Sequence, residues 1–111
     1  MAFLIITNIS ANPTVGSLGG IVYITATTWS TAGALTSAGT STLIQITAPD
    51  STIVQSFTAM TADSTGKFSY AFATATSNLP GRYSVEIKTT DSGNVSTERG
   101  EYLFTLFDPP A

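Results

Sequence analysis

The stretch RYSVEIKTTDSGNVSTERGEYLFTLF, residues 82–107, decides the fold of this chain. In its first half, four residues alternate with polar or charged ones: Tyr83, Val85, Ile87 and Thr89. A period of two places these side chains on the buried face of a half-buried β-strand. DSGN, residues 91–94, is typical of a tight turn, since Asp and Asn bond their own backbone and Gly allows a positive φ. The stretch is therefore predicted to be a β-hairpin.

The same period recurs along the rest of the chain. Strands are predicted in GIVYITATTW (residues 20–29), in GKFSYAFAT (66–74), and in STLIQITAPD and STIVQSFTAM around a turn at Pro49–Asp50–Ser51. The first strand is predicted at Phe3–Ser10 and the last at Glu101–Phe107. Clusters of Gly, Pro, Asn, Asp and Ser separate the strands, and no stretch shows a helical apolar stripe. The sequence thus predicts one all-β domain, residues 1–111, a sandwich of about seven antiparallel strands in two sheets.

Charged residues are scarce, at 10% of the chain against about 25% in typical soluble domains. The net charge is −3, and the basic residues are Lys67, Arg82, Lys88 and Arg99. They form no clustered patch in the sequence, so neither a nucleic acid nor an anionic membrane is expected as a partner. The hydroxyl groups of Ser and Thr are expected to make up much of the surface. Such a surface, with few charges, is poorly protected against association with other molecules, which favours a place within an assembly. A soluble domain rich in Ser and Thr is the alternative.

The first residues, MAFLIITNIS, do not resemble a secretory signal, because they lack a basic start, a long apolar run and a cleavage site of small residues. The apolar run is also too short for a transmembrane helix. Because the chain has no cysteine, disulfides and thiol chemistry are excluded. If Met1 is native, we expect synthesis in the cytoplasm. If Met1 is an addition, we expect one module of a larger secreted protein.

Nothing in the sequence predicts catalysis or a cofactor. With neither His nor Cys, the Ser-His-Asp and Cys-His arrangements are impossible, and zinc lacks its usual ligands. A glycosidase needs two carboxylates that flank a cleft, but most of the seven acids fall in predicted turns or on outward strand faces. Asp91 and Asn94, with Glu98 and Glu101 further along, offer oxygen ligands to calcium, but support of the turn is the simpler role. We therefore predict no catalytic, cofactor-binding or metal-binding residue, and not an enzyme.

Several segments together resemble the bacterial and phage immunoglobulin-like domains. SANPTVGSLGGIVYITAT is similar to their opening, ITAPDSTIVQSFT to their middle hairpin, and DSTGKFSYAF with LPGRYSVEIKTTDSGNVST to their second half. The resemblance implies an immunoglobulin-like β-sandwich in which Tyr83 is a candidate for the tyrosine corner, with an ordinary core tyrosine as the alternative. The missing bridging cysteines, and Trp29 at the end of the second strand, argue against antibody-like recognition loops.

Both ends of the chain carry more apolar side chains than one sandwich face requires. AFLII, residues 2–6, is apolar on both faces of its predicted strand. EYLFTLF places Tyr102, Phe104 and Leu106 on one face, and Leu103 and Phe107 on the other. Because exposed apolar surface marks interfaces, we predict an assembly interface at these ends, formed by Phe3, Leu4, Ile5, Ile6, Leu103 and Phe107. A first strand whose Phe3 and Ile5 are covered by a loop is the alternative.

The resemblance to phage domains, the low charge and the apolar ends favour a non-enzymatic virion structural protein. It is expected to decorate a phage capsid or tail through its apolar terminal strands, after synthesis in the host cytoplasm. Its expected partners are capsid or tail proteins of the same particle, and further copies of itself in a homo-oligomer. The alternative is an immunoglobulin-like module of an adhesin on the bacterial cell surface. A carbohydrate-binding module ranks third, with Trp29, Tyr23 and Tyr70 as candidate aromatic residues.

Overall fold

The computed structural model describes residues 4–30, 32–36, 41–75, 78–91 and 93–107, with the backbone alone described at 4–7, 91 and 94. Within these ranges the protein is all-β. No helix that is long and apolar enough to cross a membrane occurs in this part of the chain. The strands are β1 (Leu4–Asn12), β2 (Val15–Ser17), β3 (Ile21–Ser30), β4 (Ser41–Thr47), β5 (Ile53–Ala59), β6 (Thr61–Ser64), β7 (Lys67–Ala73), β8 (Gly81–Asp91) and β9 (Asn94–Phe107).

The strands form two sheets. The four-stranded sheet has the order β1-β3-β7-β6, and the five-stranded sheet has the order β2-β9-β8-β4-β5. Neighbouring strands are antiparallel except β2 and β9, which run parallel over Val15–Ser17. Apart from the short β2, this is the order A-B-E-D in one sheet and G-F-C-C′ in the other, as in immunoglobulin-type sandwiches.

The predicted all-β sandwich is confirmed, with nine strands in the described ranges rather than about seven. The two additional strands, β2 and β6, are three and four residues long and lie at or beside segments predicted as turns. Strands of this length are too short for alternation to reveal them. β9 begins at Asn94 rather than Glu101, because it pairs with β8 from the hairpin turn onward.

The predicted alternation is confirmed in the core. On β3, Val22, Ile24 and Ala26 are buried, whereas Tyr23 and Thr25 between them are exposed. The neighbouring strands β4 and β8 of the five-stranded sheet supply four fully buried aliphatic side chains, namely Ile44, Ile46, Val85 and Ile87. Because this apolar layer is continuous between the two sheets, the loops that it supports are held on a rigid base.

Tyr83 forms the predicted tyrosine corner. Its ring is fully buried, stacks on Phe104 with centroids 5.3 Å apart, and lies 6.2 Å from the ring of Phe72. Its hydroxyl donates a hydrogen bond of 2.6 Å to the carbonyl oxygen of Leu79. Burial, with a smaller contribution from the Asp50 carboxylate, raises the pKa of Tyr83 above its ordinary value. Tyr83 therefore ties the loop before β8 to the core.

A β-bulge in β9 changes the predicted orientation of Tyr102 and Leu103. Val85 pairs with Gly100 and Tyr83 pairs with Phe104, so three residues of β9 lie opposite Ser84 alone. Tyr102 in this bulge has a φ of 53° and is 64% exposed, so it does not share a face with the buried Phe104 and Leu106 as predicted. Leu103, predicted to lie in an assembly interface, is half-buried and packs against the core. The alternation fails here because a bulge re-aims the side chains that follow it.

Candidate functional site

The first and last described residues lie at opposite ends of the sandwich. β1 begins with Leu4 opposite Ser30, the last residue of β3, and we call this the upper end. β9 terminates with Phe107 opposite Ser17, and we call this the lower end. The nine residues of β1 span about 26 Å at 3.3 Å per residue. The chain therefore enters the described structure at the upper end and leaves it at the lower end.

This geometry divides the predicted assembly interface. The backbone of Leu4, Ile5 and Ile6 lies at the upper end, paired with β3, whereas Phe107 lies at the lower end. Phe3 lies outside the described residues, and so do the side chains of Leu4, Ile5 and Ile6. Of the remaining two predicted residues, Phe107 is 54% exposed and Leu103 packs on the core. The structure thus separates the backbone of Leu4–Ile6 from Phe107, which among the predicted residues is the one with a described, exposed side chain.

Other exposed apolar side chains accompany Phe107 at the lower end. Ile21 begins β3, Ile53 begins β5, Leu79 lies in the loop before β8, and Val15 lies on β2 beside the last residues of β9. Their exposed fractions are 48%, 51%, 45% and 57%, respectively. These side chains all lie at the lower end, where the sandwich measures 22 × 18 Å in its two short dimensions. We call Val15, Ile21, Ile53, Leu79 and Phe107 the lower apolar surface.

A groove opens in the lower end between the β4–β5 turn and the loop before β8. Its volume is about 340 Å³, and its lining includes Ala48, Val54 and Leu79, with Asp50 and Asn78 as polar members. Apolar and polar groups thus line a concavity next to the exposed Ile53. A groove of this kind suits an apolar projection from a partner better than a flat surface does.

Local hydrogen bonds fix both walls of the groove. The Asp50 carboxylate accepts a hydrogen bond of 3.0 Å from the amide of Thr52, and the Ala48 amide donates one of 2.8 Å to the Thr52 carbonyl. These bonds close the turn, and the bond from Thr52 lowers the pKa of the Asp50 carboxyl. On the other wall, the Asn78 side chain accepts a hydrogen bond of 2.7 Å from the amide of Ala75. The groove is therefore preformed.

Gly81 brings the two walls together. Its φ is +133°, and a Cβ atom built on it would lie 2.8 Å from Cγ of Pro49 in the β4–β5 turn. No other residue type permits this approach without a shift of the backbone or the proline ring. Gly81 and the Tyr83 corner, two residues apart, thus hold the loop before β8 against the β4–β5 turn.

The upper end is built differently. In the described ranges its exposed large hydrophobic residues are Leu35, in the loop after β3, and Val95, on β9. Asp63 and Lys67 lie near the β6–β7 turn at this end, so charge is mixed with the apolar atoms. Thr28 of β3 connects the β6–β7 turn to the loop that follows β3. Its amide donates a hydrogen bond to the Gly66 carbonyl, and its carbonyl accepts one from the Thr36 amide.

Charge is concentrated on the outer face of the five-stranded sheet. The Arg99 guanidinium lies 3.9 Å from Glu86 and 3.5 Å from Glu101, and the Lys88 ammonium lies 4.3 Å from the centre of the Phe57 ring. The outer face of the four-stranded sheet is instead made largely of hydroxyl and small side chains. On that face, Ser10 and Thr25 share a hydrogen bond of 2.6 Å between neighbouring strands.

The aromatic residues proposed for sugar binding do not form one platform. Tyr23 is 53% exposed, and Trp29 lies six residues further along the same outward face of β3. Tyr70 pairs with the buried Ile24 and packs against the core, so it lies on the opposite face of the sheet. Its hydroxyl donates a hydrogen bond of 3.2 Å to the Gln55 side chain.

Among the described side chains, no group of three or more His, Cys, Asp or Glu residues is placed to hold a metal ion. The side chains of Asp91 and Asn94, considered above for calcium, lie outside the described set. Comparison of the sequence with family models and with curated proteins finds no match in either.

The sequence contained a signal for part of the lower apolar surface. Ile21 precedes the buried Val22, so it is out of phase with the core alternation of β3, and Ile53 likewise precedes the half-buried Val54 at the start of β5. An apolar residue out of phase at the start of a strand indicates exposed apolar surface at that end of the sheet. No such pattern marks Leu79 or Val15 in the sequence, because Leu79 lies in a loop and Val15 in a three-residue strand.

Proposed function

We propose that this domain is a non-enzymatic structural protein of a phage particle, which decorates the capsid or tail by seating its lower end on proteins of that particle. The observation that carries the proposal is the lower apolar surface, where five large side chains between 45% and 57% exposed lie at one end of a narrow sandwich. Exposed apolar patches rimmed by polar residues mark protein interfaces.

The chemistry of the lower end suits attachment to a protein surface. Removing apolar area from water contributes about 25 cal/mol per Å². Among the described residues that line the groove, Asp50 carries the charge, so the desolvation cost of seating an apolar group there is small. The walls of the groove are held by Gly81, Tyr83 and the β4–β5 turn, so little conformational freedom is lost when a partner binds. A modest contact of this kind becomes durable when many copies bind a repetitive shell.

The opposite places of chain entry and exit favour a second candidate, a module of a bacterial cell-surface adhesin. β1 begins at the upper end and β9 terminates at the lower end, so modules joined in one polypeptide would follow one another lengthwise. In that case the lower apolar surface would pack against the upper end of the next module.

Fractionation of the natural source by sedimentation, followed by mass spectrometry of the intact protein, separates the two candidates. The proposal expects a species of 11.5 kDa that sediments with large particles. A much heavier polypeptide in the cell-envelope fraction would overturn it in favour of the adhesin module. The particles are washed with 1 M salt as a control, because salt removes electrostatic contaminants but strengthens apolar contacts.

A further inference from the structure

A second concavity lies on the other side of the β4–β5 turn, at the β9 bulge. Its volume is about 100 Å³, and residues from the turn, β8 and β9 line it. The lining that matters for its chemistry is polar or aromatic: Ser51, Arg82, Ser84, Arg99, Glu101 and Tyr102. We call this concavity the bulge pocket.

The bulge is a strained feature that the surrounding contacts maintain. Tyr102 has a φ of 53°, which is unfavourable for a residue with a side chain. Its amide donates a hydrogen bond of 3.1 Å to the hydroxyl oxygen of Ser84, which is 8% exposed. In this backbone conformation the Tyr102 ring is exposed, and the Arg82 guanidinium lies 5.8 Å from the ring centre. Strain of this kind clusters at binding sites, where it holds a side chain in position.

The balance of charge in the bulge pocket leaves Arg82 available. Arg99 is compensated by Glu86 and Glu101 on its two sides. Asp50, in the neighbouring turn, accepts a hydrogen bond from Thr52. Among the described side chains Arg82 has no ion-pair partner, and its contact is the Tyr102 ring. Its guanidinium carries five donors in a planar fork that matches a carboxylate.

We propose that the bulge pocket binds the carboxylate of an acidic side chain on the docking partner, with Arg82 as the charged donor and the Tyr102 ring beside it. Small-molecule sites occupy about 300–1,000 Å³. A pocket of about 100 Å³ admits one side-chain head group, so the ligand is part of a larger partner. The inference rests on the proposed function for the identity of that partner, and it adds a polar contact next to the lower apolar surface.

The test is an NMR titration of the whole protein with N-acetyl-glutamate amide, compared with N-acetyl-glutamine amide. We expect saturable shifts of the Tyr102 amide and the Arg82 Nε–H signals with the glutamate compound, and no saturable shift with the glutamine compound. Equal responses to both compounds would overturn the proposal. A saturable response to inorganic phosphate, without one to the glutamate compound, would overturn the choice of a carboxylate.

Three variants assign the response to the pocket. Arg82→Gln should weaken binding of the glutamate compound by about tenfold, because a charge-assisted hydrogen bond is lost. Lys67→Gln is the matched control, since it removes one positive charge from the other sheet, and it should bind as the wild type does. Tyr102→Gly relieves the positive φ, so it should fold and still bind more weakly than the wild type. Equal binding by Arg82→Gln and Lys67→Gln would overturn the proposal.

These titrations use purified protein and a small probe, so they do not depend on any particle. A positive titration with an 11.5 kDa protein that does not sediment with particles would refute the proposed function alone. A negative titration with a protein that does sediment with particles would refute the bulge pocket alone.

Discussion

The lower and upper ends of the sandwich differ in how their loops are held and in how many apolar side chains they expose. At the lower end, the Tyr83 corner and the contact of Gly81 with Pro49 hold the loops, and exposed apolar side chains stand on that framework. At the upper end, exposed apolar residues are fewer in the described ranges, and the charged Asp63 and Lys67 lie at the same end. The same strand alternation builds the core beneath both ends.

The difference shows where a β-sandwich can acquire a docking surface. The alternating core specifies what is buried, but it leaves the ends to turns and to the first and last residues of strands. An end becomes a good interface when its apolar side chains are exposed and its backbone is already fixed, because ordering on binding then costs little. The lower end satisfies both conditions, and the following variants test its framework.

Replacement of Gly81 should have the largest effect. Gly81→Ala places a Cβ atom about 2.8 Å from the Pro49 ring at a φ of +133°, so we expect the free energy of unfolding to fall by about 2–4 kcal/mol. Gly93→Ala is the matched control at the upper end, where φ is +86° and no atom lies within 4 Å of the added methyl group. It should cost about 1 kcal/mol. Urea denaturation measures both, and equal losses would show that Pro49 does not constrain the lower end.

Loss of the Tyr83 hydroxyl should have the next largest effect. Tyr83→Phe keeps the stacked ring but leaves the Leu79 carbonyl without its hydrogen bond, which should cost about 1–3 kcal/mol. Tyr70→Phe removes a longer bond to the half-buried Gln55 and should cost less than about 0.5 kcal/mol. Hydrogen exchange of the Asn78 amide, which is hydrogen-bonded within the same loop as Leu79, should also accelerate in Tyr83→Phe alone. A similar acceleration in both variants would contradict the role of the corner.

The raised pKa of Tyr83 makes the stability of the fold sensitive to alkali. The unfolded chain releases this proton near pH 10, whereas the folded protein retains it to higher pH. The folded state then binds more protons, so the free energy of unfolding falls as the pH rises above about 10. We expect this fall to be shallower in Tyr83→Phe. Parallel pH profiles for variant and wild type, measured by urea denaturation from pH 8 to 11.5, would contradict this assignment.

Asp50 should give the smallest effect, at acid pH. Its pKa is lowered by hydrogen bonds from Thr52, so the stability it contributes is present above the ordinary Asp pKa and is lost as the pH falls through the lowered value. Asp50→Asn keeps an oxygen acceptor for the Thr52 amide and removes the titration. Thermal unfolding between pH 2 and 6 should therefore show a slightly flatter acid limb in the variant. A steeper limb would contradict the direction of the pKa shift.

Much of the fold was predictable from the sequence because strand alternation and turn formation depend on residues that are close together in the chain. The alternation in residues 82–90 and 21–27 reports directly on burial, and DSGN and Pro49–Asp50–Ser51 are turn sequences with a chemical cause. The β9 bulge was not predictable, because it depends on the hydrogen bond between Tyr102 and Ser84 across two strands. β2 was missed because a three-residue parallel pairing leaves no periodic pattern.

The candidate site was predictable only in part. Phe107 was identified from the excess of apolar residues in the last strand, and it is exposed. Its companions come from four other segments, and no sequence spacing shows that these segments meet at one end. Leu103 was assigned outward because alternation was extended through the bulge. Topology, rather than composition, places the lower apolar surface.

The most direct test of the central claim compares two valines of nearly equal exposure at opposite ends. Val15 is 57% exposed at the lower end, and Val95 is 56% exposed at the upper end. Val15→Asp and Val95→Asp, each shown by urea denaturation to be folded, are mixed with particles that have been stripped of the native protein, and sedimentation measures the bound fraction. Docking through the lower end predicts that Val15→Asp binds at least about tenfold more weakly than the wild type, which corresponds to about 1.4 kcal/mol, and that Val95→Asp binds as the wild type does. Equal binding by the two variants, or loss of binding in Val95→Asp alone, would contradict it.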